Sequence, residues 1–226
     1  MDSRRQCPKG RKGYHHGDLK RSLIDGARAM IEERGDWSFS MRELAARIGV
    51  SPMAAYSHFA DKQALLAAVA AEGFDELSSK TRAAADAEAD PQRGMFELGL
   101  AYITFGVDNP ARYRLMFGAT FAVDPPAELR AACDGAYSSL TDQIEKRYPH
   151  SRSTQAERDV HALSAWSTVH GYTMLMIDRP SHRLDRHVAS RTDILNMAEA
   201  LLAEGKGGLQ LTDDHRARPD ADDTGS

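Results

Sequence analysis

The chain has 226 residues, enough for one or two domains with a sizeable core, and its 42% apolar and 27% charged content is that of an ordinary globular protein. No run of about 18 apolar residues occurs, so no membrane-spanning helix is expected, and the basic, polar N-terminus lacks the apolar core of a secretory signal. The net charge of −4 hides an asymmetry: residues 1–60 hold 11 Lys/Arg against 7 Asp/Glu, residues 61–226 hold 18 against 26, so a basic head joins an acidic remainder. Cys7 and Cys133 are too few for a disulfide framework, and a reducing cytoplasm is the expected setting.

Residues 1–17 form a basic arm without helical periodicity, ending in Tyr14-His15-His16-Gly17. Cationic arms track a nucleic-acid backbone or enter a minor groove, and Arg11, Tyr14 and His15 lie close enough to the first helix for that role. No further ligands stand near His15 and His16 at metal-binding spacing, so no metal is expected. Asp18 caps a first helix reaching about Arg34, with Leu19, Leu23, Ala27, Met30 and Ile31 as its inner stripe and Gly35 just past its end. Trp37 and Phe39 are expected in the core.

Ser40 to Lys62 spells two short helices and a tight turn. Ser40 with Glu43 makes a capping box, Leu44, Ala45 and Ile48 give one apolar face, and Gly49 stops the helix. Ser51 caps the next helix, expected over residues 52–59, and Pro52 sits at its first position. The turn Gly49-Val50-Ser51 has the length a helix-turn-helix requires, with Val50 as its apolar plug. The second helix offers Pro52, Met53, Ala54, Tyr56, Ser57 and His58 where a structural helix would carry Leu, Glu and Lys. Small residues let a backbone approach a groove floor, and Tyr and His bond phosphate oxygens. Asp61 caps a further helix. Lys62 opposes that helix's dipole and is expected to meet a DNA phosphate.

The segments Phe39-Ser40-Met41-Arg42-Glu43-Leu44-Ala45, Gly49-Val50-Ser51 and Ala55-Tyr56-Ser57-His58-Phe59-Ala60-Asp61-Lys62 resemble the DNA-binding domain of the TetR family of transcriptional regulators, most specifically in the Tyr-x-His-Phe-x-x-Lys pattern. The resemblance implies an all-α chain of about nine helices. A helix-turn-helix domain at residues 18–61 would precede a regulatory and dimerisation domain at 62–204 and a disordered tail at 205–226. Ser40, Met41, Arg42, Ser51, Pro52, Met53, Ala54, Tyr56, Ser57, His58 and Lys62 are the expected DNA contacts beside those of the arm.

The remaining elements follow from punctuation. A long helix runs from Lys62 toward Ala85, with Gly73 in its middle. Asp90-Pro91 opens a helix to about Val107, Asn109-Pro110 one to Phe117, and Asp124-Pro125-Pro126 precedes one from Ala127 to Arg147. Residues 154–177 form the next, and residues 190–203 the last, with Ile194, Leu195, Ala198, Leu201 and Leu202 inward. Trp166-Ser167-Thr168-Val169-His170-Gly171 resembles the Trp-x-x-x-His-Gly signature of one class of TetR C-terminal domains, with Trp166 and His170 one turn apart.

One small head reads few base pairs, so a homodimer on a palindromic double-stranded operator is expected, its heads about 34–36 Å apart. The resemblance implies pairing through the last two helices, where Ser164, Ser167, Gly171, Ser181 and Ala198 suit close contact or else face the monomer core. A small-molecule effector is expected among Tyr102, Phe105, Tyr113, Met116, Phe117, Trp166, His170 and Met174, although aromatics and methionines at helical spacing are commonly core. His170 is the best polar candidate, because a buried imidazole needs a partner. The chain contains no Gly-x-Ser-x-Gly, no His-Glu-x-x-His and no phosphate loop, and His161 and His170 fall about 180° apart on one helix. Neither enzymatic activity nor a cofactor is expected. The alternatives are a body that answers a protein partner, and activation in place of repression.

Overall fold

A computed structural model of the chain describes residues 19–121, 125–150, 152–178 and 190–204. The regular structure of the described residues is all helical, with no strand among them: α1 Leu19–Arg34, α2 Met41–Ile48, α3 Pro52–Tyr56, α4 Lys62–Asp86, α5 Pro91–Asp108, α6 Pro110–Phe117, α7 Ala127–Arg147, α8 Gln155–Asp178 and α9 Arg191–Glu204, with a 3-10 turn at Ala119–Phe121. The expected all-α class and order of elements hold. The one sizeable difference is α3, which ends at Tyr56, three residues before the expected Phe59. The arm with Arg11, Tyr14 and His15, the cap Asp18, Cys7, Ser181 and the tail lie outside the described residues.

Side-chain caps mark the starts of α2, α4, α8 and α9. Ser40 and Glu43 form the expected box: Ser40 Oγ accepts from the Glu43 N–H, and the Glu43 carboxylate accepts from the Ser40 N–H at 2.6 Å. Thr154 with Glu157 and Ser190 with Asp193 repeat that reciprocal arrangement before α8 and α9. Asp61 Oδ1 caps α4 by accepting from the Ala64 N–H at 2.8 Å. No described helix is long and apolar enough to cross a membrane.

The residues group into two compact units, one within 1–79 and 109–138, the other within 80–108 and 139–226. Both α4 and α7 therefore begin in the first unit and end in the second. Leu65, Leu66, Val69 and Phe74 of α4 are buried and fall within the residue range of the first unit.

The first unit holds α1, α2, α3 and α6, with Leu23, Ile31, Leu44, Ala45 and Ala55 fully buried. Gly26 brings α1 against α2 closely. A Cβ there would stand 2.8 Å from Ile48 Cγ2 and 2.9 Å from Leu44 Cδ1. On its α4 side, Phe74 packs edge-on to Phe117 at 5.1 Å, Tyr113 lies 4.6 Å from the same ring, and Gly73 faces Met116. Arg112 is buried and holds Glu76 at 2.8 Å and Asn109 Oδ1 at 2.7 Å. In the second unit α5 packs against α8 and α9. Its core joins Ala85, Leu98, Leu140, Ile144 and Ala162, flanked by Met95, Tyr148, Ala165 and Trp166.

Candidate nucleic-acid interface

The turn between α2 and α3 is fixed by backbone chemistry. Gly49 takes φ 77°, ψ 29°, in the left-handed region. Its N–H donates to the Ala46 carbonyl at 3.2 Å, and the Val50 N–H reaches back to the Ala45 carbonyl at 2.9 Å. This pair of bonds is a Schellman stop, satisfying two carbonyls that α2 would otherwise leave open. Half-buried Val50 is the expected plug. Ser51 Oγ then accepts from the Ala54 N–H at 3.1 Å, with Pro52 at the first helical position.

The short α3 is anchored by Ala55, which is fully buried, and by Phe59 just beyond it. The opposite face is open: Ser51, Pro52, Met53, Tyr56, Ser57 and His58 are exposed, Met53 at 79% and Tyr56 at 46%. These six side chains, all among the residues expected to meet DNA, are exposed together, and Arg42 of α2 is exposed as well. Ala54 is half-buried. One expectation changes. Met41 is 3% exposed and belongs to the core of α2, so its side chain is unavailable to a partner. Lys62 is half-buried with its ammonium 5.0 Å from the centroid of Phe39. The ring face offers the ammonium a region of negative potential within the chain.

Most cations of the described head are spent internally. Arg47 clasps Glu33, holding that carboxylate below its usual range and raising the guanidinium. Arg21 bonds Asp25 and Glu72, Arg28 bonds Asp25, and Arg34 reaches Glu43. The Glu43 carboxyl is lowered first by its bonds to Ser40 and then by Arg34. Arg42 has no ion partner among the described residues, which leaves it as the exposed guanidinium beside α3.

A second cluster lies in the other unit, where α5 faces α8. The Trp166 Nε1–H donates to the Tyr102 hydroxyl at 3.3 Å, and that hydroxyl is 3.1 Å from His170 Nδ1. The indole can only donate, so the phenol oxygen accepts from it, and the phenol hydrogen is well placed for Nδ1. That tautomer carries its proton on Nε2. Burial pushes the imidazole pKa below 6.5. The partner foreseen for His170 is thus a tyrosine hydroxyl. Of the other expected effector residues, Phe105 is buried with Lys80 over its ring at 5.7 Å, and Met174 is half-buried on α8. Tyr113, Met116 and Phe117 belong to the first unit. A cleft of about 320 Å³ in the first unit is lined by Asp61, Gln63, Ala64, Ala119, Thr120, Phe121 and Pro126, none of them an expected effector residue. No metal-binding group of three or more His, Cys, Asp or Glu occurs among the described residues.

Residues 23–69 match the family model for bacterial regulatory proteins of the tetR family, and residues 95–204 match the tetracyclin repressor-like C-terminal domain. The chain belongs to the TetR family. The matched description is that of bacterial regulatory proteins. A curated relative, the HTH-type transcriptional activator FasR of Mycolicibacterium smegmatis, is 28% identical over 126 residues, which cover 55% of this chain and 58% of that protein. The chain thus spans less than two thirds of the relative's length. A protein of unknown function from Rhodococcus sp. RHA1 has the same fold with TM-score 0.71 and 27% identity, covering 86% of this chain and 98% of that one. The TetR family regulator PfmR of Thermus thermophilus shares the fold at TM-score 0.60 and 17% identity, covering 83% and 98%.

Two features of this TetR chain left little trace in the sequence. Gly26 reads as a weak point of a helix, yet it sets the spacing of α1 and α2. Arg112 reads as a surface residue of a short helix, yet it is buried; Asn109, one helical turn before it, was its local signal.

Proposed function

We propose that the chain acts as a homodimeric repressor, releasing a palindromic operator when a small molecule binds its body. The observation that carries the operator part is the open face of α3, where Met53, Tyr56, Ser57 and His58 are exposed around a buried Ala55. On this reading α3 enters the major groove, and Arg42, Tyr56 and His58 meet phosphates together with Arg11, Tyr14 and His15 of the arm. Residues 18–61 then act as the reading head and 62–204 as the responding body.

The dimer part is supported by α8. Val160, Leu163, Ser164, Ser167 and Leu175 are exposed on one face, Gly171 lies among them with nothing within 4 Å of the position a Cβ would occupy, and Met197 of α9 is exposed too. Apolar side chains flanking small ones suit helix pairing with a second copy. Ala198 does not take part, because it is fully buried within its own chain. The effector part is supported by the Trp166–Tyr102–His170 chain, a polar set inside an apolar helix layer, as ligand sites require. The C-terminal half is read as the Trp-His-Gly class on those residues.

The relative FasR, named a transcriptional activator, favours a second reading, activation. The deciding experiment selects duplexes from a random library with the full chain, then measures anisotropy against the consensus. Wild type binds an inverted repeat with a steep salt slope. Tyr56→Ala combined with Arg42→Ala lowers affinity at least tenfold. Selection of no consensus, or unchanged affinity in the double variant, defeats the operator reading.

A further inference from the structure

The most exposed large apolar side chain among the described residues is Met53, and it stands in the middle of the surface assigned to the operator. Its neighbours narrow what it can recognise. From Ser51 to Ala60 the chain has no Arg, Lys, Asn, Gln, Asp or Glu. The side chains that form paired hydrogen bonds to guanine, adenine or cytosine edges are therefore missing from α3. Its hydroxyls are committed in part to the backbone: Ser51 Oγ accepts from the Ala54 N–H, and Ser57 Oγ donates to the Ala54 carbonyl at 2.8 Å. Pro52, Ala54 and Ala55 carry no polar side-chain atom. What α3 extends toward a groove floor is a thioether, flanked by Tyr56 and His58.

The major-groove edges of the four base pairs present one apolar group, the thymine C5-methyl. Methionine is unbranched and polarizable, and it adapts to such a contact. We infer that Met53 is a specificity-determining residue that reads a thymine methyl in each half-site. The inference rests on the proposed placement of α3 in the major groove and adds the chemical feature that α3 selects there. Specificity at that position comes from a buried methyl and not from hydrogen bonds.

Deoxyuridine lacks only this methyl, which makes it the direct probe. In the consensus duplex selected above, each thymine is replaced singly by deoxyuridine, and binding of wild type and Met53→Ala is compared at fixed salt. At one thymine per half-site, the replacement weakens wild type about fourfold, the worth of one methyl removed from water. Met53→Ala binds the thymine duplex several-fold more weakly and no longer distinguishes thymine from deoxyuridine at that position. Met53 is a surface residue, so an unchanged melting temperature confirms that the variant folds. A consensus with no thymine at which discrimination depends on Met53 overturns the inference and leaves the operator reading intact. Failure to select any consensus overturns both.

Discussion

Replacing Gly49 with alanine isolates backbone strain at the helix-turn-helix. Nothing lies within 4 Å of the position a Cβ would occupy, so no steric clash contributes. The cost is conformational: φ 77° is left-handed, and a residue with a Cβ is disfavoured there by about 1–2 kcal/mol. Alanine also restricts the unfolded chain, which returns about 0.4–1 kcal/mol. The net loss is about 1 kcal/mol, or a melting temperature lower by about 2–4 °C in a chain of this size. Asparagine tolerates the left-handed region and should lose less; valine, β-branched, should lose more. Thermal unfolding by circular dichroism, at one protein concentration so that any self-association contributes equally, ranks the four proteins. Alanine as stable as glycine, or asparagine as damaging as valine, would refute the strain argument.

Other substitutions test the packing and the polar groups. Gly26→Val should destabilise by about 1–3 kcal/mol in a chemical denaturation series, because Ile48 Cγ2 and Leu44 Cδ1 already crowd that position. Glu76→Ala leaves the buried Arg112 without its 2.8 Å carboxylate and should cost about 1–3 kcal/mol, whereas Asp142→Ala, which removes the 2.9 Å partner of the exposed Arg82, should cost under about 1 kcal/mol. Equal costs would contradict the role given to burial. Burial depresses the His170 pKa, so above the unfolded value of 6.5 both states are neutral and the group adds no pH dependence. As pH falls through 6.5 the unfolded chain binds the proton first, and stability drops until the folded pKa is passed. His170→Asn should flatten the melting-temperature profile as pH falls below 6.5 relative to wild type; parallel profiles would remove the imidazole from the cause.

The sequence by itself determined the local structure, because local structure depends on neighbours three or four residues away. Ser40 with Glu43, Gly49 and Pro52 set the ends of α2 and the start of α3 wherever those helices were to pack. The proline-marked starts of α5 and α6 follow from the same short range. The open face of α3 was legible for that reason: its chemistry sits in eight consecutive residues, Ser51 to His58. Burial is a property of the assembled fold, and there the sequence was silent or misleading. Met41 lies within a run of expected contacts, yet α2 turns it inward. Lys62 meets the Phe39 ring from 23 positions away, a contact that no local pattern states. Trp166 and His170 shared a face by periodicity, but Tyr102, 64 positions before Trp166, became their hydrogen-bond partner only through the packing of α5 on α8. Folding also buried Phe105, while Tyr113, Met116 and Phe117 fell in the other unit. Periodicity states which residues of one helix point the same way; only the tertiary structure decides what they point at.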